Sequence, residues 1–110
     1  MKLPFKIDCD ALTDEDWRDI AGLVASNMSF SDVYGIPRGG IKLAEALTPY
    51  CVNKGYPTLI VDDVMTTGNS MLEARKKFTG TIGFVLFDRS NYNNDWIYSL
   101  FKVNKYFDHV

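Results

Sequence analysis

The run Thr58-Leu59-Ile60-Val61, set between Pro57 and the paired acids Asp62-Asp63, constrains the fold more than any other stretch of this chain. Consecutive apolar residues cannot alternate between a wet and a dry face, so the strand they form must be covered on both sides. Double coverage belongs to a parallel sheet with helices packed on it, and the rest of the chain supplies the neighbours. Val33-Tyr34-Gly35-Ile36 is short, β-favouring and ended by Pro37-Arg38-Gly39-Gly40, and Thr81-Ile82-Gly83-Phe84-Val85-Leu86-Phe87 is a third apolar stretch.

Helical spacing fills the intervals. Trp17, Ile20, Ala21 and Val24 predict a helix from about Asp14 to Ser26, opened by Thr13 and Asp16 as a capping box with Asp in place of the usual Glu or Gln. Ile41, Leu43, Ala44 and Leu47 predict a second helix that Thr48-Pro49 ends. Met71, Leu72, Arg75 and Phe78 predict a third, with Gly80 at its C-terminal stop. The alternation predicts a single α/β domain over residues 1–110, a small parallel sheet flanked by helices, with three central strands joined by right-handed crossovers. In the tail from Ser90 to Val110, the spacing of Trp96, Ile97, Leu100 and Phe101 predicts a short helix.

The chain has 110 residues, 46% of them hydrophobic and 24% charged, the balance of one globular domain. A domain this small buries a reduced share of its surface, which makes a homodimer the expected assembly. A net charge of -2 and the lack of any Lys/Arg run longer than Arg75-Lys76-Lys77 argue against nucleic acid as a partner. The apolar runs, such as Phe84-Val85-Leu86-Phe87, fall far short of the roughly 20 residues that span a bilayer. The opening Met1-Lys2-Leu3-Pro4-Phe5-Lys6 does not read as a signal peptide, so a cytoplasmic location and no membrane partner are expected. Cys9 and Cys51 form no CxxC pair and the only histidine is His109, so neither a disulfide nor a zinc site is expected.

In open parallel sheets ligands bind beyond the carboxyl ends of the strands, where both glycine-bearing loops of this chain fall. At Thr66-Thr67-Gly68-Asn69-Ser70, three hydroxyls, an unhindered glycine and the free amides at a helix start come together as an anion site suited to a phosphate monoester. The loop holds no lysine, and Gly68-Asn69-Ser70 stands where an NTPase P-loop has Gly-Lys-Ser/Thr, which argues against an ATPase. Asp62 and Asp63, placed at the strand's end, would repel an anion unless sugar hydroxyls or a metal occupy them. A plainer reading makes them a solvated strand end that caps a turn. A receiver-type phospho-acceptor pair would need further acids on an earlier strand, and none is there.

The string Leu59-Ile60-Val61-Asp62-Asp63-Val64-Met65-Thr66-Thr67-Gly68-Asn69-Ser70 resembles the signature by which type I phosphoribosyltransferases bind PRPP (5-phosphoribosyl 1-pyrophosphate). Tyr34-Gly35-Ile36-Pro37-Arg38-Gly39-Gly40 is similar to the pyrophosphate loop of the same family, in the right order and before a helix. The resemblance runs from about Val33 to Arg89 and is closest to orotate-type members. It implies that Thr66, Thr67, Gly68, Asn69 and Ser70 hold the 5-phosphate and that the catalytic acids Asp62 and Asp63 reach the ribose hydroxyls. It implies too that Arg38, Gly39 and Gly40 contact pyrophosphate, with Mg²⁺ bridging ligand oxygens rather than sitting in a protein cage. The implied reaction moves phosphoribosyl from PRPP to a nucleobase and releases pyrophosphate.

Family members carry two further strands and a mobile catalytic loop between the pyrophosphate loop's helix and the PRPP strand. Here that interval is only Thr48 to Pro57, too short for two strands of ordinary length. The alternative reading is therefore a regulatory module that binds PRPP, ribose 5-phosphate or a nucleotide without catalysing transfer. Lys42 and Lys54 are either replacements for the missing catalytic cation or ordinary solvated lysines. Asp88-Arg89 either lines a base pocket or forms a local ion pair. Trp96, Phe101, Tyr106 and Phe107 suit a base-stacking wall, a core or a dimer interface.

Overall fold

A computed structural model describes residues 9–103; Tyr106, Phe107 and His109 lie outside the described residues. Helix α1 spans Asp14–Asn27. Its capping box forms as expected: the Thr13 hydroxyl accepts from the Asp16 amide at 3.1 Å, and the Asp16 carboxylate accepts from the Thr13 amide at 2.8 Å. The chain continues through β1 (Asp32–Gly35), α2 (Ile41–Leu47), β2 (Thr58–Met65), α3 (Asn69–Arg75), β3 (Thr81–Asp88) and β4 (Ile97–Lys102). All four strands are parallel, in the order β1-β2-β3-β4. No helix among the described residues is long and apolar enough to cross a membrane.

The doubly covered strand expected at Leu59-Ile60-Val61 is present. Leu59 and Val61 pack with Phe84 and Leu86 against Trp17, Ala21 and Val24 of α1 and Leu43 and Leu47 of α2. Ile60 and Val85 point the other way, against Met71 and Ala74 of α3 and against Trp96. Thus α2 and α3 cover opposite faces, although both connections step the same way across the sheet. The two connections consequently have opposite hands, where right-handed crossovers throughout were expected.

Two further expectations are corrected. Trp96, Ile97, Leu100 and Phe101 do not form a helix, because an isolated helix of that length is marginal while β3 offers an open edge to a β-favouring segment. Ile97 pairs with Gly83 and Phe101 with Phe87, whose rings stack at 5.0 Å. The Asn94 side chain launches β4 by accepting from the amides of Trp96 and Ile97 at 3.1 and 2.7 Å. The second correction concerns β2, which does not stop at Asp62-Asp63. It runs on to Met65 because β3 continues beside it, pairing Asp62 with Val85 and Met65 with Asp88.

Between α2 and β2 the chain makes a 3-10 turn at Thr48–Tyr50 and an isolated bridge between Lys54 and Tyr56 around Gly55, and no strand pair intervenes. The extra strands and catalytic loop have no counterpart in this interval.

Candidate functional site

β1 and β2 end at different heights, and the step between them builds the site. β1 stops at Gly35, opposite Val61, and turns through Pro37-Arg38-Gly39-Gly40 into α2. The Pro37–Arg38 peptide is cis. The Gly40 amide donates to the Ile36 carbonyl at 2.8 Å, and the Ile36 amide donates to the Val61 carbonyl at 2.9 Å. A side chain at Gly40 would collide with the Val61 carbonyl, and one at Gly39 with the Asp63 carboxylate. Glycine at both positions lets the backbone lie directly on β2.

Beyond Val61, β2 overhangs this loop and carries the two acids. The Asp63 amide donates to the Asp62 carboxylate at 2.8 Å, and the Val64 amide to the Asp63 carboxylate at 2.7 Å. The acids face different spaces. Asp62 lines a hollow of about 40 Å³ together with Thr66, Thr67, Gly68 and Ser70. Asp63 lines a cleft of about 550 Å³ with Arg38, Gly39, Lys42 and Glu45. Burial, reinforced by the hydrogen bond and charge of Asp63, pushes the Asp62 carboxyl up to about 7 against the opposing pull of the Asp63 amide.

The hollow owes its shape to Gly68, whose φ of 89° lies in the left-handed region and turns the chain into α3. The Thr67 hydroxyl accepts from the Asn69 amide at 3.2 Å, so Asn69 shapes the loop from the head of α3. The Tyr92 ring lies against Gly68, a contact no local sequence signal announces. Of the two lysines weighed as catalytic cations, Lys42 lines the cleft beside Arg38, with its ammonium 4.0 Å from the Asp14 carboxylate, and Lys54 belongs to the bridge before β2. Trp96 is a core residue, whereas Phe101 is half exposed on β4. Asp88 is buried and accepts from the Ser90 hydroxyl at 2.6 Å and from the Lys102 ammonium at 3.4 Å.

Apolar grooves of about 560 and 380 Å³ run along α1, β3 and β4. The candidate site is placed instead at the hollow and the cleft at the strand ends, because hydroxyls, carboxylates and a guanidinium line them. Among the described residues no cluster of three or more His, Cys, Asp or Glu could hold a metal. Asp62 and Asp63 are hard oxygen donors at the site, a donor set that suits Mg²⁺ completed by ligand oxygens and water.

No protein-family model matches the chain, and no curated protein matches it. Solved structures do. A hypoxanthine-guanine phosphoribosyltransferase from Bacillus anthracis matches over 86% of this chain and 81% of its own, with a TM-score of 0.59 at 12% identity. An orotate phosphoribosyltransferase from Aeropyrum pernix matches over 82% and 72%, with a TM-score of 0.59 at 20% identity. A hypoxanthine phosphoribosyltransferase from Staphylococcus aureus matches over 86% and 77%, with a TM-score of 0.55 at 16% identity. The fold is that of the type I phosphoribosyltransferases. Within this fold, the two loops singled out in the sequence follow the carboxyl ends of adjacent strands, and Gly39 of the first lies against Asp63 of β2.

Proposed function

We propose that this chain binds a 5-phosphorylated ribose, PRPP or ribose 5-phosphate, with Mg²⁺, and transfers phosphoribosyl to a nucleobase in the cytoplasm with release of pyrophosphate. The observation that carries the reading is the pair of spaces divided by Asp62 and Asp63: a phosphate-sized hollow on one side and an arginine-bearing cleft on the other. The amides and hydroxyls of Thr66, Thr67, Gly68, Asn69 and Ser70 hold the 5-phosphate. Asp62 and Asp63 accept from the ribose hydroxyls, and Arg38 with the amides of Gly39 and Gly40 takes the pyrophosphate. Mg²⁺, when bound, neutralises charge between ligand oxygens and the two carboxylates. Fixed groups placed where charge develops at the sugar would supply the stabilisation, without a covalent nucleophile.

The second reading is a binding module without turnover, favoured by the direct return from α2 to β2 over residues 48–57. One experiment separates them. With PRPP, Mg²⁺ and each common nucleobase, pyrophosphate release with one base selects the transferase, and saturable PRPP binding without release selects the module. If PRPP neither raises the melting temperature nor gives heat on titration, both readings fail, since a ligand of the native state must stabilise it by mass action. The chain is also expected to pair with a second copy through the exposed apolar residues Leu23, Tyr98 and Leu100. Sedimentation as a monomer at high concentration would remove that expectation.

A further inference from the structure

The segment between β3 and β4 grips the phosphate-loop region at several points. The Arg89 amide donates to the Met65 carbonyl at 2.9 Å, which ties the segment to the end of β2. At the next residue, the Ser90 hydroxyl accepts from the Tyr92 amide at 3.2 Å and donates to buried Asp88 at 2.6 Å. Tyr92 is thereby aimed across the loop, and its ring lies on Gly68: a methyl group built there would sit 2.8 Å from the ring. The Tyr92 hydroxyl accepts from the Trp96 indole at 3.2 Å, and Trp96 in turn carries the Arg75 guanidinium 4.5 Å above its ring. Gly68 caps the start of α3 and Arg75 is its last residue, so the segment clasps that helix at both ends.

Gly68 has the greatest freedom to leave its conformation, because glycine reaches many backbone states that other residues do not. Its own hydrogen bond within the region is the one its carbonyl accepts from the Leu72 amide at 3.0 Å. The ring of Tyr92 packs where a side chain at Gly68 would stand, and Gly68 itself lines the hollow with Thr66, Thr67 and Ser70.

We propose that Tyr92 is a positioning residue: by packing on Gly68 it holds the Thr66–Ser70 loop in the conformation that receives a phosphate. The packing part stands without a ligand, whereas its effect on affinity rests on the phosphate reading above. Ring contact is the agent, so Tyr92→Phe should preserve the function and Tyr92→Ala should lose it.

The test has a ligand-free arm and a ligand arm, both on the full chain. In amide hydrogen exchange, Tyr92→Ala should speed exchange at Asn69 and Leu72, whose amides bond to the Thr67 hydroxyl and the Gly68 carbonyl, by about ten-fold or more, with α1 amides unchanged as the control for global stability. In titration calorimetry with ribose 5-phosphate, Tyr92→Ala should bind about ten-fold more weakly or worse, and Tyr92→Phe should stay within about two-fold of wild type. Unchanged exchange at Asn69 and Leu72 in Tyr92→Ala overturns the proposal whatever the ligand does. Faster exchange with undiminished affinity also overturns it. Faster local exchange in a protein whose wild type binds no phosphate ester would uphold the packing role and sink the phosphate reading alone.

Discussion

Replacing Asp63 by Asn is expected to cost about ten- to a hundred-fold in affinity for ribose 5-phosphate and PRPP while leaving inorganic phosphate bound at least as well as in wild type. The loss corresponds to one hydrogen bond to a charged group, worth about 1.5 to 3 kcal/mol. Asparagine keeps the shape that lies against Gly39 and can still accept from the Val64 amide through its carbonyl oxygen. What disappears is charge that favours metal-bridged sugar hydroxyls and disfavours a bare phosphate. Thr67→Val gives the contrasting pattern. It removes the hydroxyl that accepts from the Asn69 amide and puts a methyl in its place, so inorganic phosphate and the phosphate esters alike should bind more weakly. Titration calorimetry with inorganic phosphate, ribose 5-phosphate and PRPP on both variants separates the two roles. Equal losses for all three ligands in Asp63→Asn would show that the carboxylate only supports the loop.

The features legible in the sequence were those set by local chemistry. Thr13 and Asp16 announce the start of α1 because a capping box is closed within four residues, and Leu59-Ile60-Val61 announces a doubly covered strand because no half-exposed strand tolerates such a run. The two candidate loops are legible as a position, because parallel strands place such loops at their carboxyl ends, and the structure sets them after β1 and β2. What stayed hidden depends on partners distant in sequence. β4 was masked by the accidental helical spacing of Trp96, Ile97, Leu100 and Phe101, and only the open edge of β3 decides for a strand. The extension of β2 through its acids likewise follows from the length of β3. The division of Asp62 and Asp63 between two spaces, and the Tyr92–Gly68 contact, arise from packing that no local pattern encodes.

Asp62→Asn is expected to stabilise the protein at pH 8 and to leave it unchanged near pH 3. Burial and Asp63 raise the Asp62 carboxyl from an ordinary 3.8 to about 7. Between those two pH values the folded protein holds a proton that the unfolded chain has already released. The stability contributed by this group is therefore present in full below about pH 4. It drains away as the pH rises towards 7, and above that the folded state bears the whole cost of ionising a partly buried acid beside another. Asparagine never ionises, and its carbonyl oxygen can still accept from the Asp63 amide as Asp62 does at 2.8 Å. The group is partly open to solvent, so the screened gain at pH 8 is about 1 to 2 kcal/mol. In a domain of this size that amounts to roughly 5 °C or more in melting temperature. The difference between variant and wild type isolates the Asp62–Asp63 pair, because the substitution removes charge only there. Melting curves from pH 3 to 8 should start together and separate between about pH 4 and 7, the variant ending higher. With Mg²⁺ and PRPP added at pH 8 the order should reverse, since the ionised Asp62 then has a cation and sugar hydroxyls to face while the amide has lost its charge. Parallel curves without ligand would mean that Asp62 ionises as an ordinary acid, and an unreversed order with ligand would remove it from the sugar site.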